Sequence, residues 1–191
     1  AHNDDRCFVV SISYADRGAL DARQRGADQR CFFTTVAPQL DPVRFTLGEH
    51  VLDLPAAGLI ERNMKHFRRL SPRIPDGAEL GYHLCYGTLG GWPRWQPENL
   101  SGAVTMANAF AAHSGRRVDW IHIPVLDRSD DGYFAPLADL EPRGARIYLG
   151  AVHNMERFGE RIATARKYLA DFGVGAYCGF GRIPRQELAQ V

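Results

Sequence analysis

Histidine, cysteine and aspartate residues suited to metal binding and proton transfer recur in the C-terminal two-thirds of this 191-residue chain. His83 and Cys85 are two positions apart, and Cys178 follows much later. Imidazole and thiolate are favoured zinc ligands, and three protein ligands leave one position of a tetrahedral ion open. A thiol that enters this position loses its proton and becomes a nucleophile near neutral pH. The three residues therefore predict a zinc site that could turn a bound thiol into a nucleophile.

A second interpretation of these residues needs no metal. Cysteine often serves as a small buried hydrophobic residue, and a core histidine can bond to a backbone carbonyl. Cys7 and Cys31 are interpreted as buried residues of this kind, because each lies in an apolar, strand-like run. No CxxC pair occurs in the sequence, which argues against a zinc finger or a thioredoxin-type site.

Strand-like and helix-like segments alternate after residue 75, as in βα units with a parallel sheet. Strands are predicted over Glu79–Cys85, Asp119–Val125, Ala145–Val152 and Gly175–Cys178. Helices are predicted over Leu100–Ala112, Asp131–Leu140 and Asn154–Phe172. We expect a single α/β domain over residues 1–191, a TIM-type (β/α) barrel. Because a complete barrel needs about 250 residues, we expect a trimmed barrel, further segments, or a partner chain such as a homodimer's second copy.

The carboxyl ends of these predicted strands carry the residues that could do chemistry. The first strand ends in His83 and Cys85, the second runs into Asp127, the third delivers His153 and the fourth delivers Cys178. In parallel β/α folds the active site lies at this edge. Residues i and i+2 of a strand point to the same side, so the first two can face one point.

The helix over Asn154–Phe172 has the clearest pattern in the chain. Its apolar residues recur at spacings of three and four. They are Met155, Phe158, Ile162, Ala165, Leu169 and Phe172. Asn154 is expected to cap its first turn and Gly173 its last. In the first part of the chain we expect a helix over Ala56–Leu70 and strands over Phe8–Ser13, Cys31–Val36 and Val43–Glu49.

The loop after the first site strand carries two tryptophans beside a pair of glycines, in Gly90-Gly91-Trp92-Pro93-Arg94-Trp95. Together with Tyr86, these rings could close over a flat ligand by stacking and exclude water from the reacting centre. The alternative is that the same rings pack the loop onto the rim of the barrel.

Composition sets the broad class of protein. The chain is 45% hydrophobic and 24% charged with a net charge of +1, which gives no global attraction to nucleic acid or to an anionic membrane. No run of 18 apolar residues is present, and the polar start at Ala1–Arg6 does not resemble a signal peptide. We expect a cytoplasmic enzyme with a small-molecule substrate.

Two segments resemble a known family. Gly81-Tyr82-His83-Leu84-Cys85-Tyr86-Gly87 resembles the His-x-Cys-Tyr segment of cobalamin-independent methionine synthase, and Tyr177-Cys178-Gly179-Phe180-Gly181-Arg182 resembles its C-terminal Cys-Gly-Leu-Lys-Thr-Arg segment. The resemblance covers roughly residues 79–183 and extends to the uroporphyrinogen decarboxylase-like superfamily. It implies a β/α barrel, zinc bound by His83, Cys85 and Cys178, and a tetrahydrofolate or corrinoid methyl carrier. It also implies a proton-handling role for His153.

The chain departs from that family at several positions. The family's additional glutamate ligand aligns with Pro124, which cannot bind a metal, and Asp127 is the expected substitute. The Lys-Thr before the family's last arginine is missing. Glu49 is the expected partner of an amino or ammonium group, with a solvated loop glutamate as the alternative. These departures keep two further hypotheses open: a metal-free decarboxylase or lyase that holds a carboxylated ring with Arg and His, and a non-catalytic ligand-binding paralogue.

Overall fold

The computed structural model describes residues 61, 64–65, 67–69, 71–74, 79–86, 92–93, 96–153 and 155–178, and the strand backbones of residues 7–10, 35–36, 43–47 and 50–54. The strands in this part of the chain are β1 (Cys7–Val10), β2 (Thr35–Val36), β3 (Val43–Leu47), β4 (His50–Leu54), β5 (Glu79–Leu84), β6 (Trp120–Pro124), β7 (Arg146–Val152) and β8 (Gly173–Ala176). The α-helices with defined bounds are α1 (Ser101–His113), α2 (Asp131–Phe134) and α3 (Phe158–Arg166). Short 3-10 helices cover Ser71–Arg73 and Ala135–Asp139.

A parallel sheet is the centre of the described structure. Its strands are ordered β1-β5-β6-β7-β8, and β2 pairs with β5 beyond the end of β1. Strands β5 to β8 are parallel neighbours in chain order, an arrangement that needs crossover connections. Helices α1, α2 and α3 lie in these connections. The α/β class and the parallel sheet predicted from the sequence are therefore confirmed.

One face of this sheet is covered by helices and forms the hydrophobic core. Its strand residues alternate along the chain, as expected for a pleated strand with one apolar face. They are Leu80, Tyr82, Leu84, Ile121, Ile123, Val125, Ile147, Leu149 and Ala151, and all are buried. Helix α1 contributes Phe110, whose ring stacks on Tyr82 with centroids 4.1 Å apart. Phe67 meets both rings edge-on.

The opposite face is half-buried and carries large polar and aromatic side chains beside glycines. Trp120 lies over Gly81, where an added Cβ would come within 1.9 Å of the indole. Tyr148 covers Gly173 in the same way, at 2.4 Å. Each ring therefore requires a glycine at the position that it covers on the neighbouring strand. His83 and His122 lie further along this face, towards the carboxyl ends of the strands.

The sequence located the elements of this sheet closely. Strands β5, β6 and β7 and helix α1 each agree with their predicted bounds within a residue or two. The predicted helix over Asp131–Leu140 is present as α2 followed by a 3-10 helix. Strand β8 begins at Gly173, which we had expected to be a helix cap.

Helix α3 is shorter than the predicted helix over Asn154–Phe172, and its N-terminal part was wrong. Met155 is 56% exposed rather than buried in the apolar stripe. Ala165 is buried, and Ile162, Leu169 and Phe172 pack against the core as the stripe predicts. The helix also buries Arg161 and Thr164, which hydrogen bond to the carbonyls of Ala151 and Ser129 at 3.0 Å each. Bonds to carbonyls three residues back then tighten and end its last turn. The proposed cap Asn154 lies outside the described residues.

The first part of the chain is described mainly by its strands. β1 overlaps its predicted strand but begins one residue earlier, β2 and β3 fall within theirs, and all three are shorter than predicted. The sequence did not reveal β4. β3 and β4 form a separate antiparallel pair. In the predicted helix over Ala56–Leu70, Met64 and Phe67 are helical and buried. None of the helices in the described ranges combines the length and apolar character needed to cross a bilayer.

Candidate metal centre

His83, Cys85 and Cys178 converge at the carboxyl edge of the parallel sheet. Their three ligand atoms lie within 4.8 Å of one another. His83 is on β5, Cys85 directly follows that strand, and Cys178 lies two residues beyond the end of β8. Strand β5 and strand β8 are separated in the sheet by β6 and β7, so the cluster spans the edge rather than a single loop. Cys85 is buried, and the other two residues are half-buried.

The donor set fits a zinc ion with a small adjustment. The sulfur atoms of Cys85 and Cys178 lie 2.7 Å apart. Two thiolates on a tetrahedral zinc, each bonded at about 2.3 Å, lie about 3.8 Å apart. Binding would therefore separate the sulfurs by about 1 Å. The position of Cys178 beyond the regular ladder of β8 places this adjustment outside the hydrogen-bonded strand.

His83 is held by a second histidine that the sequence analysis missed. Nδ1 of His83 lies 2.7 Å from Nδ1 of His122, and the rings stack with centroids 4.8 Å apart. The two residues are register partners on β5 and β6. Burial, with the neighbouring His83, lowers the pKa of His122 to about 3, so its imidazole is neutral. A histidine inside a parallel strand, two residues before Pro124, was the available sequence signal.

His153, the predicted proton-handling residue, follows β7 at the same edge. Its Nε2 donates a hydrogen bond to the carbonyl of Val125 at 2.6 Å, because a carbonyl can only accept. Nδ1 of a neutral ring is then the lone-pair nitrogen. Burial lowers the pKa of His153, which favours this neutral form. The ring stacks on Tyr177, the residue before Cys178, with centroids 4.9 Å apart.

The two residues considered for a fourth ligand do not join the cluster. Pro124 ends β6 on the face that carries His122, and it is buried. Asp127 lies after β6, where its carboxylate pairs with Arg161 and Arg157. Within the described part of the chain, the metal-ligand cluster comprises the histidine and two cysteines alone. The substitution of Asp127 for the missing glutamate therefore has no geometric support.

An aromatic cluster borders the two thiols. Trp92 stacks on Tyr86 and Tyr177 with centroid distances of 5.8 and 5.3 Å. Tyr86 and Tyr177 are the sequence neighbours of Cys85 and Cys178. Trp92 thus packs onto the rim in this conformation, which corresponds to the second of the two roles considered for it. Trp95 and Glu49 lie outside the described residues.

Comparisons with protein-family models, curated proteins and solved structures found no match to this chain. The resemblance to methionine synthase therefore remains a resemblance of short motifs.

Proposed function

We propose that the protein is a zinc-dependent transferase that moves a methyl or other alkyl group to or from a thiol. The observation that carries the proposal is the convergence of His83, Cys85 and Cys178, whose ligand atoms lie within 4.8 Å of one another. A zinc ion in this donor set would lower the pKa of a thiol at its open position. The substrate class is a small molecule, and tetrahydrofolate or corrinoid compounds are the proposed methyl carriers.

The surrounding residues have roles that follow from their contacts. His83 and the two cysteines would hold the zinc ion at the edge of the sheet. The carbonyl of Val125 fixes the ring of His153, whose Nδ1 is suited to accept the proton released by the incoming thiol. Trp92, Tyr86 and Tyr177 form an aromatic wall that excludes water from one side.

We also propose that the sheet belongs to a (β/α) barrel of a cytoplasmic enzyme. Core helices packed on one face and a half-buried opposite face with histidines and aromatic rings fit the outside and the inside of such a barrel. In a barrel the ligand cluster would lie at the mouth, where active sites of this fold are found.

Cobalt substitution tests the open position of the proposed site. Protein loaded with Co²⁺ is expected to show sulfur-to-metal charge transfer and the strong visible bands of a tetrahedral ion. Added 2-mercaptoethanol should strengthen the charge transfer, because a third thiolate joins the ion. Ethanol serves as the matched control and should change nothing. A spectrum that is unaffected by the thiol would contradict the proposal.

Group transfer itself is tested with two methyl donors. The zinc-loaded protein is incubated with a small thiol and either methyltetrahydrofolate or methylcobalamin, and the methyl thioether is measured by mass spectrometry. Cys7→Ser is the control variant, because Cys7 pairs in register with Glu79 at the other end of β5. The product is expected with wild type and Cys7→Ser but not with Cys85→Ser. Equal yields from all three would refute zinc-dependent transfer.

A metal-free decarboxylase or lyase is the second candidate. It requires no metal ion, and the sulfurs, 2.7 Å apart, must separate before they can share a zinc ion. Purified protein that binds no metal but releases carbon dioxide from a carboxylated ring compound would support this candidate over the first.

A further inference from the structure

We infer that His122 is a positioning residue that selects the tautomer of His83 and so presents Nε2 of His83 as the metal-binding nitrogen. This inference rests on the proposed metal site, but it concerns a different residue and a different observation. The chain of contacts runs from the backbone of β8, through the ring of His122 on β6, to the ring of His83 on β5.

The first contact fixes the proton on His122. The backbone carbonyl of Ala176 is hydrogen bonded to the His122 ring. Nδ1 of this ring faces His83, so Nε2 is the nitrogen that meets the carbonyl. Nε2 and the Ala176 oxygen also lie on the same side of the ring, at 3.0 and 3.1 Å from the position of a Cβ added to Gly150. A carbonyl can only accept, so Nε2 of His122 must carry the hydrogen.

The second contact then has one direction. Nδ1 of His83 faces His122, so His83 can bind a metal only through Nε2, and a ring that does so carries its hydrogen on Nδ1. Nδ1 of His122 is then the acceptor. Nδ1 of His83 lies 2.7 Å from it and must donate. The remaining nitrogen of His83, Nε2, therefore carries the lone pair that a metal ion requires. Histidine ligands are commonly fixed in this way by a bond from the other ring nitrogen, usually to a carboxylate or carbonyl. Here a second imidazole fills that place.

Gly150 and Gly175, which both lie against the ring of His122, make room for this arrangement. A Cβ added to Gly150 would lie 3.0 Å from Cε1 and Nε2 of His122 and 3.1 Å from the oxygen of Ala176. An alanine there would press on both partners of the hydrogen bond. Gly159, on α3, is the matched control, since an added Cβ there meets nothing within 4 Å.

Nitrogen-15 NMR of the metal-free protein tests the tautomers directly. Long-range proton–nitrogen correlations should identify Nδ1–H on His83 and Nε2–H on His122. Nε2–H on His83 would overturn the inference, whether or not the protein binds zinc. A structural role alone would not fix the proton on one named nitrogen.

Metal affinity tests the consequence. Zinc dissociation constants are measured by competition with a chelator for wild type, His122→Leu, His122→Asn, Gly150→Ala and Gly159→Ala. Loss of such an outer partner typically weakens binding by about 10-fold to 100-fold, and we expect this for His122→Leu. Asn retains an acceptor near Nδ1 and should restore much of the affinity. Gly150→Ala should bind more weakly than Gly159→Ala.

The outcomes separate this inference from the proposed function. Wild-type affinity in His122→Leu would overturn the positioning role and leave the metal site standing. A wild-type protein that binds no zinc would overturn the proposed function and, with it, the ligand-orienting role of His122. If a His122 variant does not fold, Gly150→Ala against Gly159→Ala decides the question.

Discussion

The two ends of the parallel sheet both carry polar side chains, but they use them differently. At the amino end, Asp119 accepts a hydrogen bond from the backbone N–H of Leu80 and pairs with Arg116 and Arg117. Glu79 pairs with Arg146 across the same end. At the carboxyl end, the corresponding positions hold histidine and cysteine.

The difference separates stability from chemistry. The amino-end charges find partners of opposite sign within the protein, so they can fasten neighbouring strands together. The ligand atoms of His83, Cys85 and Cys178 at the carboxyl end are instead suited to a shared ion. Parallel β/α proteins commonly divide the two ends in this manner. Variants at one end should therefore change metal binding, and variants at the other should change folding.

The largest effect is expected for Cys178→Ala, which removes a direct ligand. We expect zinc affinity to fall by more than the roughly 100-fold that is typical when a residue behind a metal ligand is removed, while the fold is retained. The measurement is chelator competition with circular dichroism as a check of folding. Cys7→Ala, at the amino end of the sheet, is the control. Comparable loss of affinity in both variants would remove the distinction between the two ends.

Asp119→Ala should produce the opposite result. Its side chain is 8% exposed, and its removal leaves the N–H of Leu80 without its acceptor. We expect the free energy of unfolding to fall by about 1–3 kcal/mol, as measured by urea denaturation, with zinc affinity unchanged. Asp119→Asn retains an acceptor oxygen and should lose less. If Asp119→Ala unfolds with the wild-type free energy, the contacts of Asp119 do not stabilise the amino end of the sheet.

His153 should make stability depend on pH. Its pKa is lowered from 6.5 by burial, so the unfolded state takes up the proton more readily than the folded state. The free energy of unfolding should therefore decline as pH falls through 6.5 towards the folded pKa, and be unaffected by this group at higher pH. In His153→Gln this part of the decline should be absent. Denaturation at about pH 7.5 and about pH 5.5 measures it, and identical pH profiles would contradict the burial of a neutral ring.

The smallest effect is expected for Glu79→Gln. The side chains of Glu79 and Arg146 are 48% and 57% exposed, and exposed ion pairs contribute about 0–1 kcal/mol. We expect a loss of a few tenths of a kcal/mol at low salt and none at high salt. A loss as large as that of Asp119→Ala would show that exposure is a poor guide at this end of the sheet.

The sequence predicted the parts of this molecule that depend on local pattern. Alternating apolar residues identified β5, β6 and β7, and the order of the strands placed His83, Cys85 and Cys178 at one edge. The same pattern identified the apolar residues around helix α3 that pack on the core, but not the burial of Arg161 and Thr164 through hydrogen bonds. Hydrophobic periodicity does not register such residues.

The sequence did not predict which residues of neighbouring strands pair with each other. His122 is 39 residues from His83, and the register that joins them exists only once β5 and β6 have paired. Asp127 looked like a ligand because it follows a site strand. Its pairing with Arg161 depends on where α3 docks.

X-ray absorption at the zinc edge of the purified protein tests the central claim most directly. The proposal predicts about one zinc per chain with two sulfur neighbours at about 2.3 Å and nitrogen at about 2.0–2.1 Å. The sulfur contribution should shrink in Cys85→Ser and remain in Cys7→Ser. A protein without zinc, or with zinc surrounded by oxygen and nitrogen alone, would contradict the account.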